Sequence, residues 1–495
     1  MSQAWSSVSI RTVILVGSAL LTVMATGGLV ETEVFTLPTG LKYVLTVAAP
    51  LIIFAAALMR RPLHLITALA IIGAPFVGAT AQLAGIRVSL LVPLLLAGFA
   101  VVAISDPVGG RPGTLRWAGI LAFPLLLIPL VNGSGNHQFV ASLALALALA
   151  WLVSQTASEQ RGMKVVFAAF AVQAAAQAAI AIWGSETGRT LNLYSSPGTT
   201  QYARDYLYTF AGVTRPSGTF DDPIGLSNGL AIAVPLMVAL LLTVRSASAR
   251  LLLVMAVGLT TVALALTLDR TSWIATVAAV AVALVLLPRA VRRPAIPWLT
   301  AGMLAALAAA TIVVGSALTG KLASIFDPTG TQGKTQAEVG AAKGEQDRTQ
   351  YWSIALRDGF LHQPLAGIGI DNMGQLILDH SAGAGAGVRA GTGRFANAAS
   401  TYLQLIGEGG LLAVALLLTL FYGLICDLRA GVRADPVLGA GLAGAVVALL
   451  ICWATDVVVY SEPVAACVGA LLGAVAAAGR WAPGRAGAKG ARTER

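Results

Sequence analysis

Charge is the scarcest ingredient of this chain. Only 11% of its 495 residues are Asp, Glu, Lys or Arg, against 57% hydrophobic residues and a mean hydropathy of +0.80. Soluble domains carry roughly a quarter charged residues, so the bulk of this chain is not one. Cysteine is nearly missing as well. Cys426, Cys452 and Cys467 lie in or at the ends of apolar segments, which excludes a disulfide framework and leaves them as small core hydrophobes. No His, Asp or Glu cluster has ligand spacing, so neither a metal nor a cofactor is expected. Internal repeats are not evident, and only one long polar interruption exists, residues 317–399. The net charge of +10 does not gather on one soluble face, which argues against a nucleic-acid partner.

What remains is a succession of apolar segments long enough to cross a bilayer. Lipid offers the backbone only helices or a closed barrel, and these segments lack the alternation of barrel strands. The expected fold is an all-α polytopic membrane protein with about 12–14 transmembrane helices. Candidate spans are 12–30, 43–59, 63–83, 88–105, 117–132, 138–155, 165–183, 226–244, 251–268, 271–288, 297–316, 400–425, 437–455 and 463–479. The first, Thr12 to Val30, is long enough to span and no clear cleavage site ends it, so it reads as an uncleaved helix. The chain divides into an N-terminal bundle (1–183), a loop (184–225), helices around an arginine-bearing turn (226–316), a long loop (317–399), C-terminal helices (400–479) and a basic tail (480–495).

Charge bias orients the whole. With the N-terminus inside, nineteen Lys and Arg fall on inside loops and tails and three on short outside connections, Lys42, Arg87 and Arg270. The other ten lie in the two long loops, where the positive-inside rule does not count. Both long loops are therefore expected on the extracytoplasmic side of the cell membrane. The short basic tail lies inside, near anionic headgroups.

Several residues interrupt the apolar pattern in ways that suggest chemistry. Asp269-Arg270 breaks the run from Leu251 to Pro288 at its middle. As one helix that run would be about 57 Å long, too long for a bilayer. A hairpin with Arg270 at its outer turn is expected. A turn residue snorkelling to the headgroups is the plainer alternative. Arg215 lies in GVTRPSGTFDDPIGLSNG, whose Gly, Pro and Ser favour turns, just before an inward-going span. In the long loop, Trp352, Leu356 and Phe360 recur at i, i+4, i+8, with Arg348 one turn earlier. That spacing predicts a helix over 347–361, lying on the membrane or packed on the bundle. SAGAGAGVRAGTG has closely spaced glycines but neither a preceding strand nor a following helix, and reads as a flap rather than a phosphate cradle. His362 and His380 could each act as a base near neutral pH, although a lone loop histidine is usually just solvated.

Together these pieces resemble the bacterial O-antigen ligase/polymerase family. RPSGTFDDP before a span is similar to the family's Arg-x-x-Gly-x-Phe-x-Asn-Pro, and LTLDRTSW to its Leu-Thr-x-Ser-Arg turn. DRTQYWSIAL with HQPLAGIGIDNM resembles its Arg-x-x-x-Trp helix and Pro-Leu-x-Gly-x-Gly. STYLQLIGEGGLLA resembles its re-entering helix, with Tyr402, Leu403, Gln404, Glu408 and Gly410 in place. The resemblance covers roughly 210–415 and the topology. It departs where the family has His-Asn before Thr-Tyr-Leu-Gln, here Ala399 and Ser400, and at Asp222 and Asp269. Because the missing histidine goes with ligase activity, the departures tilt toward a polymerase, or a ligase with an unfamiliar acceptor.

The resemblance implies a membrane glycosyltransferase of cell-surface polysaccharide biosynthesis. It would move glycan from an undecaprenyl-pyrophosphate donor to a hydroxyl of a glycan, lipid or protein acceptor. Such a donor is already activated; the acceptor attacks the anomeric carbon and the pyrophosphate leaves with growing negative charge. Arginine forks suit that charge in a partly dry site. Arg215 and Arg270 are expected to hold the pyrophosphate, with Arg348 as a third contact and Trp352 and Tyr402 on the supporting helices. His380, Glu408 and Asp371 are the candidate bases. The alternatives are a secondary transporter or lipid-linked-glycan flippase, for which Asp456 is the acidic residue to watch, and a structural assembly partner.

Overall fold

The computed structural model describes residues 62–76, 80–83, 86–89, 91, 94–95, 98–99, 102, 137–187, 209–210, 213–220, 222–293, 348–370, 372–381, 398–457 and 461–481. Expected spans 12–30, 43–59, 117–132 and 297–316, the glycine-rich run after Ser381, the basic tail beyond 481 and Asp371 lie outside these residues.

The described residues are mostly helical, with two short hairpins and a few irregular connections, as expected of an all-α polytopic membrane protein. The helices are α1 (Pro62–Gly73), α2 (His137–Thr156), α3 (Gln160–Thr187), α4 (Pro223–Thr243), α5 (Ala247–Leu266), α6 (Arg270–Leu286), α7 (Met373–Ser381), α8 (Thr401–Ala434), α9 (Pro436–Thr455) and α10 (Glu462–Ala478). Five of them, α3, α4, α5, α8 and α9, are long and apolar enough to cross a membrane, and four shorter apolar helices accompany them.

Local chemistry sets the boundaries. Asp222 caps α4, its carboxylate accepting from the Gly225 N–H, with Pro223 at the first helical position. Asp435 and Pro436 repeat that device at α9. The run 251–288 folds as the expected hairpin, α5 and α6 joined by Thr267, Leu268 and Asp269.

Other expectations are corrected. The span placed at 63–83 ends with a 3-10 turn, Ala74–Phe76, and Thr80–Leu83 pairs antiparallel with Ile86–Ser89 instead. Only two residues separate those strands, a connection that suits a hairpin. Helix α8 runs nine residues past the expected 425. It is also broken at Gly410, whose φ of 58° and ψ of −144° are open to glycine alone.

Helix α4 is the axis of the bundle, packed on α3, α5, α6, α9 and α10. Small residues let backbones meet, as membrane bundles need when lipid competes for apolar contact. A Cβ on Gly469 or Gly473 of α10 would sit 2.2 Å from the carbonyl oxygen of Ala146 or Ala150 on α2. Gly441 and Gly444 bring α9 equally close to α4 and α6. Outward faces of α5, α6 and α8 carry Leu251, Leu252, Met255, Ile274, Val277, Leu418 and Ile425, exposed as a lipid-facing surface would be.

The contacts define two ends. At one, Gln160 meets Asp435 and Arg480 meets the Ser154 carbonyl. Arg245, Arg250, Arg289, Arg292, Arg293, Arg429 and Arg433 belong to this end by chain position. The other end gathers the starts of α4, α6 and α8 and the end of α9.

Candidate active site

Residues 215–220 form a non-helical segment sunk into the bundle, with Pro216 to Phe220 all buried. Irregular backbone at such depth is tolerated where protein encloses it. Arg215, at its mouth, donates from Nε to the carbonyl oxygen of Thr267 at 2.6 Å. That carbonyl belongs to the α5–α6 turn, three residues before Arg270. The two arginines expected to act together are thus brought to one turn, although 52 residues separate Arg215 from Thr267.

The turn is built from polar side chains that the bundle encloses. Asp269 caps α6 through the Thr271 N–H, and its other oxygen accepts from Ser227 at 2.7 Å and Ser272 at 2.5 Å. Ser272 also lies 3.0 Å from Oδ1 of Asn228. Thr271 and Thr455 bond at 3.0 Å, tying α6 to the end of α9. Leu268 within the turn has φ +53°, a conformation a leucine adopts only when its surroundings enforce it.

Asp456 follows α9 and is 5% exposed. Its carbonyl oxygen accepts from the backbone N–H and hydroxyl of Thr401, at 2.9 and 2.7 Å, docking the start of α8. Burial pushes its carboxyl well above the usual range; Asp269 and Asp222 add to the rise, and Arg348 opposes it. Asp222 is likewise raised by burial, against the Gly225 N–H and Arg215. These mutual influences place Arg215 and Arg348 in one electrostatic neighbourhood with Asp222, Asp269 and Asp456. Asn228 also lowers the Asp456 carboxyl, and among the described residues neither its Nδ2 nor Asp456 Oδ2, both buried, has a hydrogen-bond partner. We read them as adjacent but not bonded.

The long loop reaches this end through helical residues 348–354, which pass into a π-helical turn, Ala355–Leu361. This corrects the expected continuous α-helix. Each π residue shifts the register, so Ile354, Ala355 and Gly359 face the bundle, while Leu356 and Leu361 are exposed. Gly359 packs so closely on α8 that an added Cβ would lie 3.2 Å from Gly407 Cα. Trp352 is half-buried, its Nε1 without a partner among the described residues. Tyr402 donates to the Leu450 carbonyl at 2.9 Å and packs edge-on to Phe421 and Trp453, joining α8 to α9.

The Pro-Leu-x-Gly-x-Gly segment then docks on the break in α8. Ile368 N–H donates to Gly407 O, Gly369 N–H to Glu408 O, and Leu411 N–H to Pro364 O, at 3.0, 3.0 and 2.8 Å. Gly367 has φ +65°, and a Cβ there would lie 2.4 Å from the Glu408 carbonyl. The Glu408 carboxylate is fully buried and accepts from Met373 N–H at 3.1 Å and Gln404 Nε2 at 2.6 Å. It holds α7 to α8. His380, exposed near the end of α7, turns Nδ1 to the Leu376 carbonyl at 2.8 Å and Nε2 toward Asp358 at 3.5 Å. His362 is exposed. Among the described residues no group of three or more His, Cys, Asp or Glu could hold a metal ion.

Sequence reasoning overlooked Asn228, Ser227, Ser272 and the position of Asp456. The adjacent polar pair Ser227-Asn228 at the head of an otherwise apolar span was the available signal.

Fold and site together define a polytopic helical membrane protein with arginines and buried aspartates gathered at one end of its bundle. Residues 255–418 match the family model described as O-antigen ligase. Over that third of the chain the sequence is similar to the O-antigen ligase family, as its motifs suggest, and the match supports glycan transfer of that general kind. The matched span includes Arg270, Arg348, Tyr402 and Glu408, and excludes Arg215, Asp222 and Asp456. No curated protein matches the chain.

Proposed function

We propose that the protein transfers or polymerises glycan from an undecaprenyl-pyrophosphate donor onto an acceptor hydroxyl, on the extracytoplasmic face of the cell membrane. One observation carries the reading: Arg215, Arg270 and Arg348, from three separate parts of the chain, gather at the same end of the bundle. That end lies opposite the basic loops, and the positive-inside rule makes those cytoplasmic. Two helix starts, α4 and α6, add their positive ends to the arginine charge.

In this mechanism Arg215 and Arg270 grip the diphosphate oxygens and Arg348 closes on them from the loop. The acceptor oxygen attacks the anomeric carbon, the bond from that carbon to the diphosphate oxygen breaks, and the arginines stabilise the departing charge. Diphosphate is a good leaving group, so holding donor and acceptor in line supplies much of the rate. The acceptor proton passes to a base or to the departing diphosphate. Arg215→Ala and Arg270→Ala are each expected to abolish glycan transfer in cells while expression and membrane insertion stay normal. Full activity in either variant would end the assignment. In a deletion strain, single carrier-linked units would identify a polymerase, and long linked chains a ligase.

A further inference from the structure

Arg215 is only as well placed as the buried segment that carries it. That segment has few ways to be held, since residues 215–220 belong to no helix. Beyond Arg215 itself, a side chain from the middle of α3 anchors it. Gln177, 1% exposed, accepts through Oε1 from the Thr219 backbone N–H at 3.0 Å and lies 3.1 Å from the Thr219 hydroxyl. The hydroxyl also reaches the Pro75 carbonyl at 3.0 Å. Gly218, at φ +60°, faces the same amide: a Cβ there would lie 2.7 Å from Gln177 Oε1. The segment is thus pinned at Thr219 and shaped at Gly218 by one side chain. Gln177 is outside the matched family span, and a glutamine amide buried in a membrane helix is costly unless it has work to do.

We propose that Gln177 is a positioning residue for the diphosphate site, fixing the 215–220 segment so that the Arg215 guanidinium stays on the α5–α6 turn. The proposal rests on the reading of Arg215 as a diphosphate ligand. The neighbouring glutamine on α3 supplies an internal control. Gln173, 5% exposed and one turn earlier, instead donates to Cys467 Sγ on α10 at 3.0 Å. Replacing either glutamine removes a buried polar tie, but only one tie leads to Arg215.

The test uses the purified full-length chain in detergent, with undecaprenyl diphosphate as the probe, read by native mass spectrometry and by thermal shift. Gln177→Met keeps the shape and removes the acceptor. It is expected to weaken probe binding about tenfold, the scale of one buried hydrogen bond. Gln173→Met is expected to lower the melting temperature similarly and leave probe affinity within about twofold. Gln177→Glu, which burial holds protonated, keeps a carbonyl oxygen toward Thr219 and exchanges Nε2, which has no partner among the described residues, for a hydroxyl. It should retain affinity within about threefold, and it decides the matter if Gln177→Met is recovered in too low an amount. Wild-type affinity in Gln177→Met, equal losses in both Met variants, or a tenfold loss in Gln177→Glu would overturn the proposal. Arg215→Lys separates the two levels: unchanged probe binding there sinks the diphosphate reading itself, whereas a loss there with none in Gln177→Met sinks only this inference.

Discussion

The break in α8 offers a sharp perturbation, because one hydrogen replaced by a methyl should undock the long loop and leave the bundle standing. Gly410 sits at φ 58°, ψ −144°, a conformation closed to L side chains at a cost of roughly 1–3 kcal/mol. An alanine Cβ would also lie 2.6 Å from both Gly367 N and the Pro364 carbonyl. To escape, the chain must give up the three backbone bonds that join 364–369 to 407–411, each contributing about 0.5–1.5 kcal/mol. Undocking relieves the strain and the overlap, so the docking equilibrium shifts by those two costs and not by the bonds as well. Together they are on the order of 3–5 kcal/mol, at least a hundredfold. Hydrogen exchange reads it directly. Ile368, Gly369 and Leu411 amides should be protected in the wild type and lose at least two decades of protection in Gly410→Ala, while those of α9 and α10 keep theirs. Glycan transfer should fall in parallel, since Arg348 enters the site on this loop. Gly258→Ala is the control: nothing lies within 4 Å of its Cβ position on α5, so the exchange pattern should not change. Unchanged protection at Ile368 and Gly369 in Gly410→Ala would refute the reasoning.

Further outcomes follow from the same geometry. Asp269→Ala removes a helix cap and one acceptor each from the Ser227 and Ser272 hydroxyls, which keep the Ile224 carbonyl and Asn228 Oδ1, so a loss of about 1–3 kcal/mol should appear as a melting point a few degrees lower, which Asp269→Asn largely avoids. The raised carboxyls of Asp222 and Asp456 mean that the folded state holds their protons more tightly than the unfolded chain does. The stability they contribute is fully present below about pH 3.9 and is lost as pH rises through their raised folded values. Melting curves of the solubilised protein from pH 4 to 9 should therefore decline less steeply for Asp456→Asn. His380→Ala should cost less than about threefold in transfer, because both ring nitrogens already face Leu376 and Asp358; a loss beyond a hundredfold would restore it as a base.

Much of this was legible in the sequence for simple reasons. Apolar length fixes a span, so α2, α4, α5, α6, α9 and α10 begin and end within four residues of expectation. An apolar run too long for one helix must fold back, which set the Arg270 turn. What periodicity could not show was where helical periodicity fails. Trp352, Leu356 and Phe360 share a face only in an α-helix, and the close Gly359–Gly407 contact accompanies a π turn that spoils their register. Gly410 stands in the re-entering-helix motif with no use assigned to it, and Gly407 draws no reading at all. Their use as a dock for Pro364–Gly369 depends on two segments about 40 residues apart. Glu408 likewise read as a candidate base, because its ties to Met373 and Gln404 are tertiary facts.

The direct measurement is an electron cryo-microscopy structure of the full chain with undecaprenyl diphosphate bound. Diphosphate density between the guanidinium groups of Arg215 and Arg270, with Arg348 facing it, is the expected result. Density at the opposite end, among Arg245, Arg289 and Arg429, would contradict it.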